Sequence, residues 1–515
     1  MTATTDVTAL LGRVWAELLG VDSVAPDDDF FALGGHSVTA TRLTARVRKR
    51  LGVDLPVRAV FEDPTLAGLA ARVASAPVVP PTVDRPARVM SDVQRLQWFA
   101  EMFSDGHSPY TIPLTVRIRG RLDTPALRRA LRDVVARHEV LRTRYPDRDG
   151  QPVPEVDPAD RFAVGMLRVT EDDLDGWLRA QARLPFRLGT ELPVRATLCR
   201  LSATDHVLSL VLHHIAGDGW SRALLLDDLA SLYAFHRGLG PAPATPRQYT
   251  DVVEPEATDS DVRWWVDHLR GAPSRTTFAG SWPRPAALTD AGDSVPLPIG
   301  PESTERVRAV ATACGTTTYA VCMAALVALL SWDSGETDVV VATSVAGRAE
   351  PDAESVVGCF INTVAVRTRV GVESTARDLF GAVMRSTVDA LDHPGVSFDR
   401  IVRDLGGARD PAYRPLCQVM LTMHNEPAPR PQLVDLDAQW VEVDNGGAKC
   451  DVFVDLTDDG GPLRGLLTYR TQLYDRAFAA DLAARLCTLL DLMAADPDRP
   501  VAALRSLLEE THVQA

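Results

Sequence analysis

The sequence has no apolar stretch long enough to cross a membrane. Its longest, Tyr319 to Leu330, is shorter than the roughly 18 residues that a membrane helix needs. It has no basic-then-apolar leader, since the chain opens Met1-Thr2-Ala3-Thr4-Thr5-Asp6, so neither export nor a membrane is expected. It has no excess of positive charge. The net charge of −15 argues against a nucleic-acid or anionic-membrane partner. Its seven cysteines are odd in number and form no CxxC pair, which excludes a disulfide framework or zinc ribbon and points to reduced thiols in a bacterial cytoplasm. Lysine is nearly absent: apart from Lys49 and Lys449 every basic residue is arginine, which speaks of a GC-rich genome rather than a function.

What is present is a soluble globular composition, 46% hydrophobic and 24% charged, over 515 residues, or about three domains' worth of core. Val7, Leu10, Leu11, Val14, Trp15, Leu18 and Leu19 recur at helical spacing, and Gly20 ends that helix. After the acids Asp27, Asp28 and Asp29 comes Phe30-Phe31-Ala32-Leu33-Gly34-Gly35-His36-Ser37. Ser37 opens a second helix that runs to about Leu51. Asp63 as cap and Pro64 as first helical residue begin a last one. Residues 76–86 are proline-rich and read as an extended linker. Further on, the run Val207–Leu212 reads as a buried strand, and Ser221 to Leu229 as a helix with Ser221 as its cap. Between them lies His213-His214-Ile215-Ala216-Gly217-Asp218-Gly219. Successive strand residues face opposite ways, so the two histidines have different roles: one faces a cavity and the other is packed. Ile112–Ile118, Val339–Val341, Phe360–Val366 and Val452–Leu456 read as strands. A helix capped by Thr124-Pro125 runs towards His138, and Arg377–Leu391 and Ala477–Met493 read as helices. Periodicity alone gives an α/β protein of two similar-sized units after a small helical bundle.

The Gly-Gly-His-Ser element, with helices spaced around it, resembles the modification site of peptidyl carrier proteins. HHIAGDG resembles the HHxxxDG motif of condensation domains in nonribosomal peptide synthetases. Other segments resemble that family's motifs in order: Ser91–Trp98, with Leu96 and Gln97 in place of Arg and Leu; Arg137–Tyr145 (RHEVLRTRY); Val357–Thr363; His393–Asp399; and Arg409–Met420, with Cys417 replacing Phe. The resemblance implies a small α-helical bundle followed by an α/β two-lobed, chloramphenicol-acetyltransferase-like pseudo-dimer. It places a carrier at 1–76, a linker at 77–88, a first lobe at 89–261 and a second at 262–515, with a tunnel between the lobes. It implies peptide-bond formation, in which a carrier-bound acceptor amine attacks a donor thioester on a 4′-phosphopantetheine arm at Ser37. His214 then faces the tunnel, as a base or an orienting group, and His213 is packed. Asp218 pairs with Arg142. Gly219 offers its N–H to the thioester oxygen or simply permits a turn. Asn362 and Ser221 line the tunnel, or Asn362 satisfies a strand edge, and Trp220 is packing. No metal is implied, because adjacent strand histidines diverge and no further ligand stands near them.

The carrier leads straight into the condensation-like unit, so its cargo is expected to be an L-residue or glycine. Expected partners are a downstream acceptor carrier, the adenylation domains of the same assembly line, of which this chain holds a didomain piece, and a phosphopantetheinyl transferase. Three rivals stand beside this reading. Gly219-Trp220-Ser221-Arg222-Ala223 nearly matches the GxSxG elbow of a thioesterase with Ser221 as nucleophile, although the last Gly is Ala and the histidines precede the serine. An epimerisation domain shares the two histidines. A non-catalytic platform that recruits partner proteins is the third.

Overall fold

The computed structural model describes every residue except 1, 77–89, 103–105, 107, 253–256, 349–350, 372, 407–409, 426–430 and 515. The expected linker at 77–88 and Arg409 of the last motif therefore lie outside the described residues.

The N-terminal bundle comprises α1 (Thr2–Leu19), α2 (Ser37–Leu51), α3 (Val57–Glu62) and α4 (Leu66–Ser75). Leu11, Val14, Trp15, Phe30, Leu43, Val47, Leu66 and Leu69 close its core. Gly20 ends α1 with φ 68°, a left-handed conformation that costs glycine little. The last helix does not begin at Asp63-Pro64. Thr65, in extended conformation, caps it by accepting the Gly68 N–H at 3.2 Å, while the Pro64 carbonyl takes the Phe30 N–H at 2.8 Å. The six-residue α3 is too short to announce itself by periodicity.

α5 (Asp92–Met102) leads into the first lobe. Among the described residues its sheet has five strands, in the order Asp437–Val441, Thr111–Arg119, Asp205–His213, Val194–Arg200, Val164–Arg168. The strand Asp205–His213 lies in the middle and is buried from His206 to His213, as an unbroken apolar run requires. α6 (Thr124–Arg137) is capped by Asp123, which accepts the Ala126 N–H at 2.9 Å, so the cap lies one residue before Thr124. The edge strand Asp437–Val441 comes from the far end of the sequence and pairs antiparallel with Thr111–Arg119.

The second lobe's sheet runs Asn362–Arg369, Asp338–Val345, Val419–His424, Val452–Thr457, Arg464–Arg470, Gly292–Pro296. Helix Thr318–Ser334 is buried on all sides from Ala320 to Ser331, which explains its apolarity all round. Among the described residues no single helix is long and apolar enough to cross a membrane. Asp261 sits in the first turn of helix Asp259–Leu269, whose Val262, Trp265 and Leu269 pack with Val340, Val364 and Ile401 of this lobe. The strand expected from Phe360 starts at Asn362, because the Phe360 N–H donates to Asp218 across the lobe junction, 3.2 Å away.

Candidate active site

The histidine pair emerges where the central strand ends. His213 is the last strand residue and is fully buried. Its Nδ1 accepts the Ile215 N–H at 3.0 Å, and that bond requires the proton on Nε2, which lies 3.3 Å from Glu101 Oε2. Glu101 also accepts the Ser108 hydroxyl at 2.6 Å and the Phe186 N–H at 2.8 Å. Burial pushes the Glu101 pKa up, but these donors, led by His213, hold it below the ordinary carboxylate value. His213 is therefore the packed member of the pair.

His214 opens a short 3-10 turn, and its backbone N–H is fixed on the Tyr110 carbonyl at 2.7 Å. Its side chain keeps 7% exposure, and its Nδ1 has no hydrogen-bond partner among the described residues. Burial holds its pKa well below the usual histidine value. The charges of Lys449 and His213 add to that effect, and the Gly217 backbone opposes it. It is a neutral imidazole at neutral pH, and its Nδ1 is itself buried. Gln94 of α5 braces the turn from behind by donating to the Ile215 carbonyl at 2.9 Å.

Asp218 caps the helix Gly219–His236 and binds both lobes. It accepts the Ser221 N–H at 2.9 Å, the Ser221 hydroxyl at 2.8 Å and the Phe360 N–H at 3.2 Å. Its cationic partner is Arg348, which donates at 2.8 and 3.0 Å. This overturns the expected pairing with Arg142. That side chain donates to the carbonyls of Asp157 (2.9 Å) and Ala136 (3.3 Å) beside its own 3-10 turn. Its nearest carboxylate is Glu139, 3.5 Å away in the same turn, while Arg144 takes Asp157 with two bonds of 2.7 and 2.9 Å. Asp218 lies at the lobe junction, so its counter-charge comes from the second lobe.

Ser221 is neither a helix cap nor a tunnel residue. It is the third residue of the helix, buried, with Oγ 2.8 Å from Asp218, 3.0 Å from the Gly358 carbonyl and 3.2 Å from the Gly358 N–H. A hydroxyl so enclosed is no nucleophile, which removes the basis of the thioesterase rival. Asn362 donates its amide to the carbonyls of Pro394 (3.1 Å) and Val396 (2.8 Å), the strand-edge alternative. Gly219 has room in front of it. A Cβ there would meet nothing nearer than His424 Cε1 at 3.9 Å and Arg222 Nη2 at 4.0 Å, so neither packing nor a left-handed backbone demands glycine at that position. Glu101, Gln94, Arg348 and Lys449 were missed as site residues. Gln94 carried a signal by lying in the Ser91–Trp98 segment, and Lys449 as one of two lysines in the chain.

In the bundle, Ser37 is the first residue of α2, after His36 in extended conformation. A Cβ on Gly35 would lie 2.4 Å from the Phe30 ring, so the loop before the helix admits only glycine there. His36 Nδ1 is buried without a partner among the described residues. Burial and then the Arg42 charge lower the His36 pKa to about 4, against the pull of Asp458. A serine at the start of a 15-residue helix, behind a glycine-built loop, fits attachment of a phosphate-linked arm.

Residues 87–514 match the family model of the condensation domain, and residues 9–73 match that of the phosphopantetheine attachment site. The chain is 34% identical, over 98% of its length, to a dimodular nonribosomal peptide synthase of Bacillus subtilis, of which it spans 22%. It is 34% identical, over 97% of its length, to the phosphinothricin tripeptide synthetase PhsB of Streptomyces viridochromogenes, of which it spans 44%. Its fold is similar to that of the X-domain from teicoplanin biosynthesis solved in complex with OxyB, with a TM-score of 0.75 and 28% identity over 82% of this chain and 97% of that one.

Proposed function

The chain belongs to the condensation-domain family, the amide-forming acyltransferases of nonribosomal peptide synthesis, with a phosphopantetheine carrier domain in front, and from that premise we propose that it joins a donor acyl group held at Ser37 to the amine of an acceptor carried by a second carrier domain. The observation that carries this reading is His214, a neutral imidazole that keeps 7% exposure at the turn where the central strand ends. The arm at Ser37 supplies a thioester, which is already activated towards amines. His214 accepts the proton of the attacking nitrogen or orients that nitrogen; as the C–N bond forms the C–S bond breaks, and the proton ends on the thiol of the arm left at Ser37. Gly219, at the helix start with open space before it, offers its N–H to the developing oxyanion. Asp218 and Arg348 hold the loop between the lobes, and His213 with Glu101 fixes its base. Alignment of two tethered reactants is itself worth roughly 7–11 kcal/mol in well-oriented cases.

The donor is an L-residue or glycine. Partners are the acceptor carrier, the adenylation domains that load both carriers, and a phosphopantetheinyl transferase. A bacterial cytoplasmic setting belongs to the same reading, since the two synthetases named above are bacterial. A second reading, a recruitment platform, draws on the likeness to the X-domain solved with OxyB. The test is to load the full chain with short peptidyl-pantetheines, offer a panel of aminoacyl carriers, and weigh the acceptor arm after one turnover. A lengthened peptide on the acceptor is expected. A fully loaded chain that transfers to no member of the panel would leave recruitment standing.

A further inference from the structure

The carrier's α2 presents Arg42, Arg46 and Lys49 at spacings of four and three, so they share one helix face. That face meets the 3-10 turn Pro351–Ser355 of the second lobe. Arg42 grips Glu354 with two bonds, Nε to Oε1 at 2.6 Å and Nη2 to Oε2 at 2.8 Å, and Arg46 reaches the same carboxylate at 3.2 Å. Lys49 pairs with Asp352. From α3, Arg58 pairs with Asp389, and its backbone N–H donates to Asp392 at 3.2 Å. Isolated surface ion pairs contribute little. The Arg42–Glu354 pair differs in being bidentate and partly buried, with side-chain exposures of 25% and 17%.

Trp220 is more than packing. Its indole N–H donates to the Glu354 carbonyl at 2.8 Å. The Arg42 guanidinium lies 5.2 Å from its ring centroid, and the Arg348 guanidinium 5.7 Å from the same ring. Arg348 also donates to the carbonyls of Ala353 and Val356, which flank Glu354. Direct contacts therefore run from Arg42 of the carrier, through Glu354 and Trp220, to Arg348, Asp218 and the first turn of the active-site helix.

We infer that Glu354 and Trp220 form a socket for the carrier's Arg42, and that filling this socket positions the start of the active-site helix. The partner it fits is a carrier domain with arginine at positions 42 and 46. The activity arm of the test rests on the peptide-bond reading; the exchange arm does not.

Three forms of the full phosphopantetheinylated chain are compared with the parent: Glu354→Arg, Arg42→Glu with Arg46→Glu, and all three together. Hydrogen exchange is followed in segments 37–51, 351–355 and 219–223. The first two forms should exchange roughly ten-fold faster in all three segments, and the combined form should recover protection. Single-turnover transfer from the carrier-bound donor should fall by about the same factor and recover likewise. Unchanged exchange in 37–51 and 351–355, or no recovery on charge reversal, overturns the socket. Faster exchange there with 219–223 unaffected overturns the coupling to the active site. If no form makes amide, the peptide-bond reading fails, and exchange alone still decides the socket.

Discussion

His213 and His214 are neighbours in sequence, and nothing in their chemistry distinguishes them until the backbone does. One ring is held by Ile215 and Glu101 and fully buried, and the other keeps a small exposure. Replacing His214 with Ala should slow single-turnover transfer by roughly 10²–10⁴-fold if it acts as a base, with the melting curve unchanged. Less than ten-fold would mean that alignment of the two arms does most of the work. His213→Ala removes the leading donor to a buried carboxylate, so it should lower the unfolding midpoint, and its activity should track the folded fraction. A well-folded His213→Ala without activity, beside a fully active His214→Ala, would reverse the assignment. At Ser37, incubation with coenzyme A and a broad-specificity phosphopantetheinyl transferase should add one arm to the parent chain and none to Ser37→Ala, as read by mass. The divergence of the two histidines was legible because strand alternation is local. The roles of Glu101 and Arg348, and the contact of Gln94 with the histidine turn, were not, because each reaches the site through the fold from more than a hundred residues away in sequence.

At the scale of elements, the loop between the central strand and the helix Gly219–His236 is fastened to the second lobe by one carboxylate. Cutting a buried, fully hydrogen-bonded ion pair on one side costs on the order of 3–5 kcal/mol. Asp218→Ala and Arg348→Ala should each lower stability by about that amount in denaturant titrations. Their double mutant should cost less than the sum, because the second change removes an already orphaned charge. Arg142→Ala should cost markedly less, since its bonds go to two carbonyls beside its turn and to the partly exposed Glu139 carboxylate. Equal losses for Arg142→Ala and Arg348→Ala would contradict the observed pairing. Most strands and helices were readable from their apolar periods, and their ends were less so. Thr65, Asp123 and Asp218, rather than Asp63, Thr124 and Ser221, are the caps, because several polar residues stand within a turn of each start and only the packed backbone selects among them. The strand Asp437–Val441 gave no sign that it completes the other lobe's sheet, for pairing across the molecule leaves no local trace.

For the whole molecule, the question is how firmly the carrier rests on the second lobe, and His36, which feels the charge of Asp458 in that lobe, offers a way to read it through pH. Its pKa is lowered from 6.5 to about 4, by burial first and then by the charge of Arg42 on its own helix, while Asp458 of the second lobe pulls the other way. Between pH 6.5 and about 4 an exposed histidine would bind a proton that the buried one refuses. Stability is therefore complete above about 6.5 and is lost as pH falls, by up to about 1.4 kcal/mol per unit and about 3 kcal/mol in all. The acids of the interface do not mask this. Burial pushes Glu354 up, but Arg42 and Arg46 hold it below its ordinary value, and Lys49 leads in lowering Asp352, so both stay ionised over most of the window. His206, His214 and His268 are also held below 6.5 by burial, so the global unfolding midpoint should fall with acid whatever His36 does. The share belonging to His36 is read locally. Hydrogen exchange across 37–51 should quicken between pH 6.5 and 4.5, after correction for the intrinsic pH dependence of exchange, and should do so much less in His36→Gln, which cannot take up the proton. Identical acid responses of α2 in the two chains would show that burial of His36 does not couple carrier docking to pH.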